Sequence, residues 1–186
     1  IHPAAILRAY KQIVYTKLDF LRIKSESSTP TIELPKRKYV IRPDLSTVMY
    51  HLDQYIKSNQ KLSVDIETLR VRPNRVVSIQ FANSPDIGIC ILFQYKNGAP
   101  YWSVTNESII WRLIAKALTT KCSDNTPKLI GQNFVRFDTY VLHRQGISYD
   151  KILDNVWIDT MEAFQCYQPD MPKDLGFLTS IYTKEP

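Results

Sequence analysis

Two carboxylates interrupt an apolar run in the stretch KLSVDIETLRVRPNRVVSIQFA. Leu62, Val64 and Ile66 alternate as the inward positions of a strand, and Asp65 and Glu67 fall between and after them. Residues two apart on a strand project from one face, so these two carboxylates lie side by side at the edge of a core. Like charges held close repel, and unpaired charges near a core are costly. A cation would compensate them. A divalent ion is held better by a third carboxylate, and LIGQNFVRFDTYVL supplies a candidate in Asp138.

The elements needed to bring these residues together can be read around them. Residues 61–67, 75–82 and 86–94 form three short apolar runs separated by Pro73-Asn74 and by Asn83-Ser84-Pro85, which predicts a three-strand meander. Residues 107–119 carry Ile109, Ile110, Leu113, Ile114 and Ala117 at helical spacing. PKLIGQ reads as a fourth strand, with Asn133 as the expected N-cap of a helix over 134–145. NVWID reads as a fifth strand, and Asp159 with Glu162 three residues on is the expected start of another helix. A last helix is predicted over 173–182, with Pro172 near its first turn. Upstream, residues 3–24 show an amphipathic helical pattern, KSESSTPTIELPKRK reads as a linker or extended arm, and Asp44 is the expected cap of a helix through Leu45, Val48, Leu52 and Ile56. The resulting fold class is α/β: a mixed sheet, three antiparallel strands then parallel ones, flanked by helices. If strands 61–67 and 128–132 are neighbours, the start of the helix carrying Asp138 faces the ends of both, where open sheets place ligands.

The 186 residues are enough for one sizeable core, and the composition, 44% hydrophobic and 23% charged, is that of a globular protein. No apolar run approaches the roughly 20 residues of a membrane span, and the N-terminus lacks the pattern of a secretory signal. Cys90, Cys122 and Cys166 are far apart and read as reduced thiols, neither a disulfide framework nor a zinc site. Lys and Arg outnumber Asp and Glu ten to five in residues 1–59 but only fourteen to thirteen in residues 60–186. The chain therefore divides into a basic N-terminal segment, 1–59, and an α/β part, 60–186. A positive excess of this kind leans towards a polyanionic partner.

VDIET resembles the first motif, DxE, of the DEDD superfamily of 3′→5′ exonucleases, and GQNFVRFD is similar to its second, N-x3-F-D. The stretch DTMEAFQCYQPDMPKDLGFLTSIYTKEP further resembles proofreading domains of family A DNA polymerases, particularly of phage type. The resemblance implies a ribonuclease-H-like fold and hydrolysis of the terminal phosphodiester of a DNA 3′ end. It also implies two Mg²⁺ or Mn²⁺ ions roughly 4 Å apart. Asp65 would bridge both, Glu67 would complete the site on the side of the attacking water, and Asp138 would hold the other ion largely through water. Asn133, Phe134, Thr68 and Leu69 would contact the substrate strand; Phe137 is expected in the core, with Phe134 at either place. Asp159 is expected to act as a helix cap rather than a ligand, and Arg70, Arg72, Arg75, Arg136 and Arg144 mostly as solvated surface.

The same resemblance implies single-stranded DNA 3′ ends as partners, a polymerase domain in cis beyond residue 186, no membrane, and a bacterial or phage-infected host cytoplasm. The family's third motif, an Asp with a Tyr or His four or five residues before it, has no counterpart in residues 146–186. The chain opens on Ile1 and stops at IYTKEP, so it reads as a fragment with weak metal binding and low turnover of its own. HPAAILR at residues 2–8 weakly resembles the His-Pro motif near the end of family 4-type uracil-DNA glycosylases. Two rivals share the pattern: an RNA-trimming nuclease of the same superfamily, and a non-catalytic module that binds single strands.

Overall fold

The computed structural model describes residues 4, 8, 13–28, 31, 36–69 and 72–183, without the side chains of 72–74. It divides into two compact units, residues 36–173 and residues 1–35 with 174–186. The larger unit thus takes in residues 36–59 together with the sheet. HPAAILR lies outside the described residues apart from Ala4 and Arg8.

The larger unit is a six-stranded mixed sheet in the order β1-β4-β3-β2-β5-β6, with β1 Lys38–Ile41, β2 Leu62–Leu69, β3 Arg72–Ala82, β4 Ile87–Leu92, β5 Leu129–Gly131 and β6 Val156–Asp159. β2, β3 and β4 form the antiparallel meander, β5 and β6 join β2 in parallel, and β1 is parallel to β4. Only β3 therefore runs against the rest. This is the α/β, ribonuclease-H-like arrangement expected from the sequence, with β1 added at one edge.

Alternation along the strands decides which face is covered. Val64, Phe81 and Ile89 stand in one cross-strand row, and Ile66, Ile79 and Ile91 in the next; all six are at most 5% exposed. Two helices join this core, α2 (Leu45–Lys57) through Val48, Leu52 and Tyr55, and α3 (Val104–Thr119) through Ile110, Ile114, Ala117 and Leu118. The Tyr55 ring lies 6.0 Å from Phe81, and Trp111 stacks on Phe93 at 4.5 Å. Asp44 caps α2 by accepting the Thr47 N–H, as its sequence context predicts. At the other end of α2, the wholly buried Lys128 ammonium donates to the Tyr55 carbonyl at 2.6 Å, so a cation meets the negative end of the helix.

Several local expectations change. β1 was not legible: KYVI is short and mostly exposed, and its order comes from backbone pairing with Ile87–Cys90 rather than from an apolar face. Pro73-Asn74 lies within β3, not in a turn, because the ladder continues outward until Leu69 meets Arg72. The expected helix over 134–145 is a single π-helical turn, Phe134–Asp138, followed by α4 (Thr139–Arg144), and a further short helix, α5 (Tyr149–Leu153), precedes β6. α6 (Thr160–Tyr167) follows β6 directly, capped by Asp159.

The smaller unit contains α1 (Ile13–Glu26) and α7 (Leu175–Tyr182). Tyr15 packs edge-on against Phe177, and the Arg22 guanidinium donates to the Ser180 carbonyl at 2.7 Å. No described helix is long and apolar enough to cross a membrane.

Candidate metal centre

β2, β5 and β6 are parallel, so their carboxyl ends share one edge of the sheet. Asp65 and Glu67 lie on β2 towards that edge, on the face opposite Leu62, Val64 and Ile66, and both are exposed. Register shifts after Glu67 and again after Thr68 break the ladder with β3 just there. Bulges of this kind occur beside active sites, where they re-aim side chains.

β5 ends at Gly131, level with Asp159 of β6, while β2 continues to Leu69. The described pairing of β2 with β5 stops at Ser63, so beyond it that side of β2 has no strand neighbour. The π-helical turn fills the gap. Its last residue, Asp138, accepts the Ile66 N–H at 3.2 Å, taking the place a strand carbonyl would otherwise occupy. The turn is closed by the Thr139 N–H donating to the Phe134 carbonyl and by the Thr139 hydroxyl donating to the Val135 carbonyl at 2.7 Å. Isolated π turns are frequent at functional sites.

Asp138 is 4% exposed. Burial, and then the neighbouring charge of Asp65, push its carboxyl up to about 7, against a smaller lowering by the Ile66 N–H and a further raising by Asp159. Asp65 is raised as well, first by burial of its carboxyl and then by Glu67, although the residue as a whole is exposed. Among the described residues, the ion pairs of the chain leave Asp65, Glu67 and Asp138 without a basic partner. Asp65 is repelled by Glu67 and Asp138 by Asp65, and no basic side chain among the described residues pairs with them to relieve this.

The donor set suits a hard divalent cation, being all oxygen and uncompensated in charge. The positions are not preassembled: among the described residues no three His, Cys, Asp or Glu side chains converge closely enough to hold an ion as they stand. An ion would have to draw Asp65, Glu67 and Asp138 together.

The neighbouring residues are placed less uniformly. Thr68 is half-buried and Leu69 37% exposed, both at the end of β2. Phe137 does not take its expected place in the core, and Phe134 takes the core of the two places open to it. Phe134 has no exposed surface and packs in the core, so it has no face to offer a substrate strand in this structure, whereas Phe137 is 40% exposed. Room for Phe134 comes from Gly131. A Cβ there would lie 2.2 Å from the Phe134 Cβ, so only glycine lets Phe134 press against the end of β5.

Asn133 does not cap the turn as expected. It adopts a left-handed conformation, φ 56°, and its side chain makes no capping bond. The cap comes from across the sheet: the Asn133 and Val135 N–H groups donate to Asp159 Oδ1 and Oδ2 at 2.9 and 3.0 Å. Asp159 also accepts the Met161 N–H at 3.0 Å, the cap of α6 that its context predicts. The two long-range bonds went unread because they are made to main-chain donors, which leave no mark in residue type. Of the arginines, Arg136 pairs with Glu162 at 3.1 Å, Arg144 donates to the Tyr140 hydroxyl, and Arg75 is exposed; Arg70 and the side chain of Arg72 lie outside the described residues.

Comparison with protein-family models and with curated proteins finds no match for the chain.

Proposed function

We propose that the chain carries the catalytic face of a metal-dependent 3′→5′ exonuclease that removes nucleoside monophosphates from DNA 3′ ends, in the manner of a polymerase proofreading domain. The observation that carries this reading is the group of Asp65, Glu67 and Asp138 at the carboxyl edge of parallel strands, without a basic partner among the described residues, where burial first and then the Asp65 charge push Asp138 up to about 7. Bound Mg²⁺ or Mn²⁺ would activate a water and stabilise charge on the departing 3′ oxygen. Asp65 and Glu67 would hold the ions on the open side of β2, and Asp138 would hold them from the turn beside it. Thr68 and Leu69 directly follow Glu67, Asn133 lies five residues before Asp138, and these three are the proposed contacts to the strand end. A polymerase domain in cis and a preference for single-stranded ends belong to the same reading.

The test is calorimetric titration of residues 1–186 with Mn²⁺, alongside degradation of a 3′-labelled single-stranded oligonucleotide. Asp65→Asn and Asp138→Asn are expected each to lower turnover at least about a hundredfold while preserving the fold, because each removes charge stabilisation rather than packing. Degradation by either variant at the parent rate would refute the assignment. Absence of Mn²⁺ binding would favour the non-catalytic single-strand-binding module, since a module without turnover need not hold a metal.

A further inference from the structure

Asp159 is 5% exposed, and its carboxylate receives three backbone N–H groups. Capping α6 accounts for one of them, from Met161. The other two come from Asn133 and Val135, in the turn that ends at Asp138. That turn has no side-chain cap of its own, since Asn133 is left-handed and uncapped, so without Asp159 its first donors would lose their partner. The same junction is tied at two further points: the Thr160 hydroxyl donates to the Gly131 carbonyl at 3.1 Å, and Arg136 pairs with Glu162.

We propose that Asp159 is the positioning residue of the metal centre: by gripping Asn133 and Val135 it sets where the π turn lies, and so where Asp138 presents its carboxylate beside β2. The proposal rests on the metal-site reading of Asp65, Glu67 and Asp138. Asp159 serves as a positioning residue rather than a ligand, its carboxylate already accepting three backbone N–H groups. The turn is wedged between two constraints, the Asp159 grip and Phe134 pressed against Gly131, with the Asp138 bond to Ile66 at its far end. A carboxylate here also has a cost, since its charge opposes ionisation of Asp138. A neutral cap such as serine would serve α6 without that cost. The grip on residues 133–135 is what a serine could not reach.

Two substitutions separate these roles. Asp159→Ser keeps a cap for Met161 but gives up the bonds to Asn133 and Val135. Asp159→Asn keeps one acceptor oxygen, turns an amide towards the third donor and removes the charge. Asp44→Ala is the control: it removes a helix cap in the same unit, on α2 and outside the carboxylate group. Two readouts are taken on residues 1–186. The first is hydrogen exchange of the Ile66 amide, which reports the position of Asp138 with no metal present; Asp138→Ala sets its unprotected limit. The second is Mn²⁺ affinity by calorimetry, with the Mn²⁺ electron paramagnetic resonance signal recorded in parallel.

Asp159→Ser is expected to speed Ile66 exchange towards that of Asp138→Ala, relative to the neighbouring strand amides, and to weaken Mn²⁺ binding about 10–100-fold, the range for outer partners of metal ligands. Asp159→Asn should fall between Asp159→Ser and the parent in both readouts. Asp44→Ala should lower the unfolding temperature and leave both readouts at the parent value. Ile66 protection unchanged in Asp159→Ser, or lost equally in Asp44→Ala, overturns the proposal. A parent chain that binds no Mn²⁺ refutes the metal reading instead, and the exchange result still decides whether Asp159 positions Asp138.

Discussion

Asp138 combines a buried carboxyl, a neighbouring carboxylate in Asp65 and one main-chain donor. Its folded value of about 7 lies above the ordinary value near 4. Between those limits the folded state keeps a proton that the unfolded state releases, so stability without metal falls as pH rises from about 4 to about 7 and then levels off. Each unit of difference is worth about 1.4 kcal/mol, so the total is on the order of a few kcal/mol. Asp65 acts in the same direction, reduced by its exposure to water. Asp138→Asn is therefore expected to flatten this slope and to stabilise the metal-free protein at pH 8. Mn²⁺ should recover part of the lost stability in the parent and much less in the variant. Thermal unfolding from pH 4 to pH 8, with chelator and with Mn²⁺, checks both; equal slopes in parent and variant would remove Asp138 as the source.

At the level of elements, the decisive feature is a mismatch in strand length. β5 is short and β2 long, so the end of β2 has an unpaired side, which the π turn fills with a carboxylate instead of a strand. Gly131 makes the tight junction between β5 and the turn possible. In Gly131→Ala the new methyl would meet the Phe134 Cβ and Cγ at 2.2 and 2.6 Å, and neither can move without shifting the turn. The expected cost is that of overpacking, roughly 1–3 kcal/mol, together with faster exchange at Ile66 as Asp138 is displaced. Unfolding midpoints and amide exchange measured on the same sample test the two parts separately. A destabilised variant with an unmoved Ile66 amide would mean that the strain relaxes elsewhere.

At the scale of the whole molecule, residues 36–173 hold the entire sheet, α2, α3 and all three carboxylates of the proposed centre. That unit contains the principal buried cluster and needs no residue of α1 or α7 for any of its strand pairings. Residues 36–173 produced alone are expected to unfold in one cooperative transition and to keep Mn²⁺-linked stabilisation. A broad, non-cooperative melt would show that the flanking segments are required. The net charge of +6 bears on partner binding rather than on the fold. Single-stranded DNA should bind the full chain with an affinity that falls steeply with salt, since each neutralised phosphate contributes about −0.7 to the log–log slope. Salt-independent binding, or a preference for intact duplex ends, would contradict a nuclease acting on single-stranded ends.

Much of the architecture was legible in the sequence because side-chain periodicity records which face is buried. The alternation of Leu62, Val64 and Ile66, the apolar rows of β3 and β4, and the helical spacing in α2 and α3 each announce an element and its inner face. Capping chemistry is local as well, so Asp44 and Asp159 were recognised as helix starts. Types and order also singled out Asp65, Glu67 and Asp138. Tertiary structure alone decided the rest: β1 as an edge strand, Phe134 buried while Phe137 faces out, the π turn at the open side of β2, and Asp159 gripping donors from 24 and 26 residues earlier. The physical reason is common to all four. Each depends on a main-chain group or on the space left by a neighbouring strand, and every residue type except proline carries the same N–H and C=O, so the sequence holds little signal until the chain has brought the partners together.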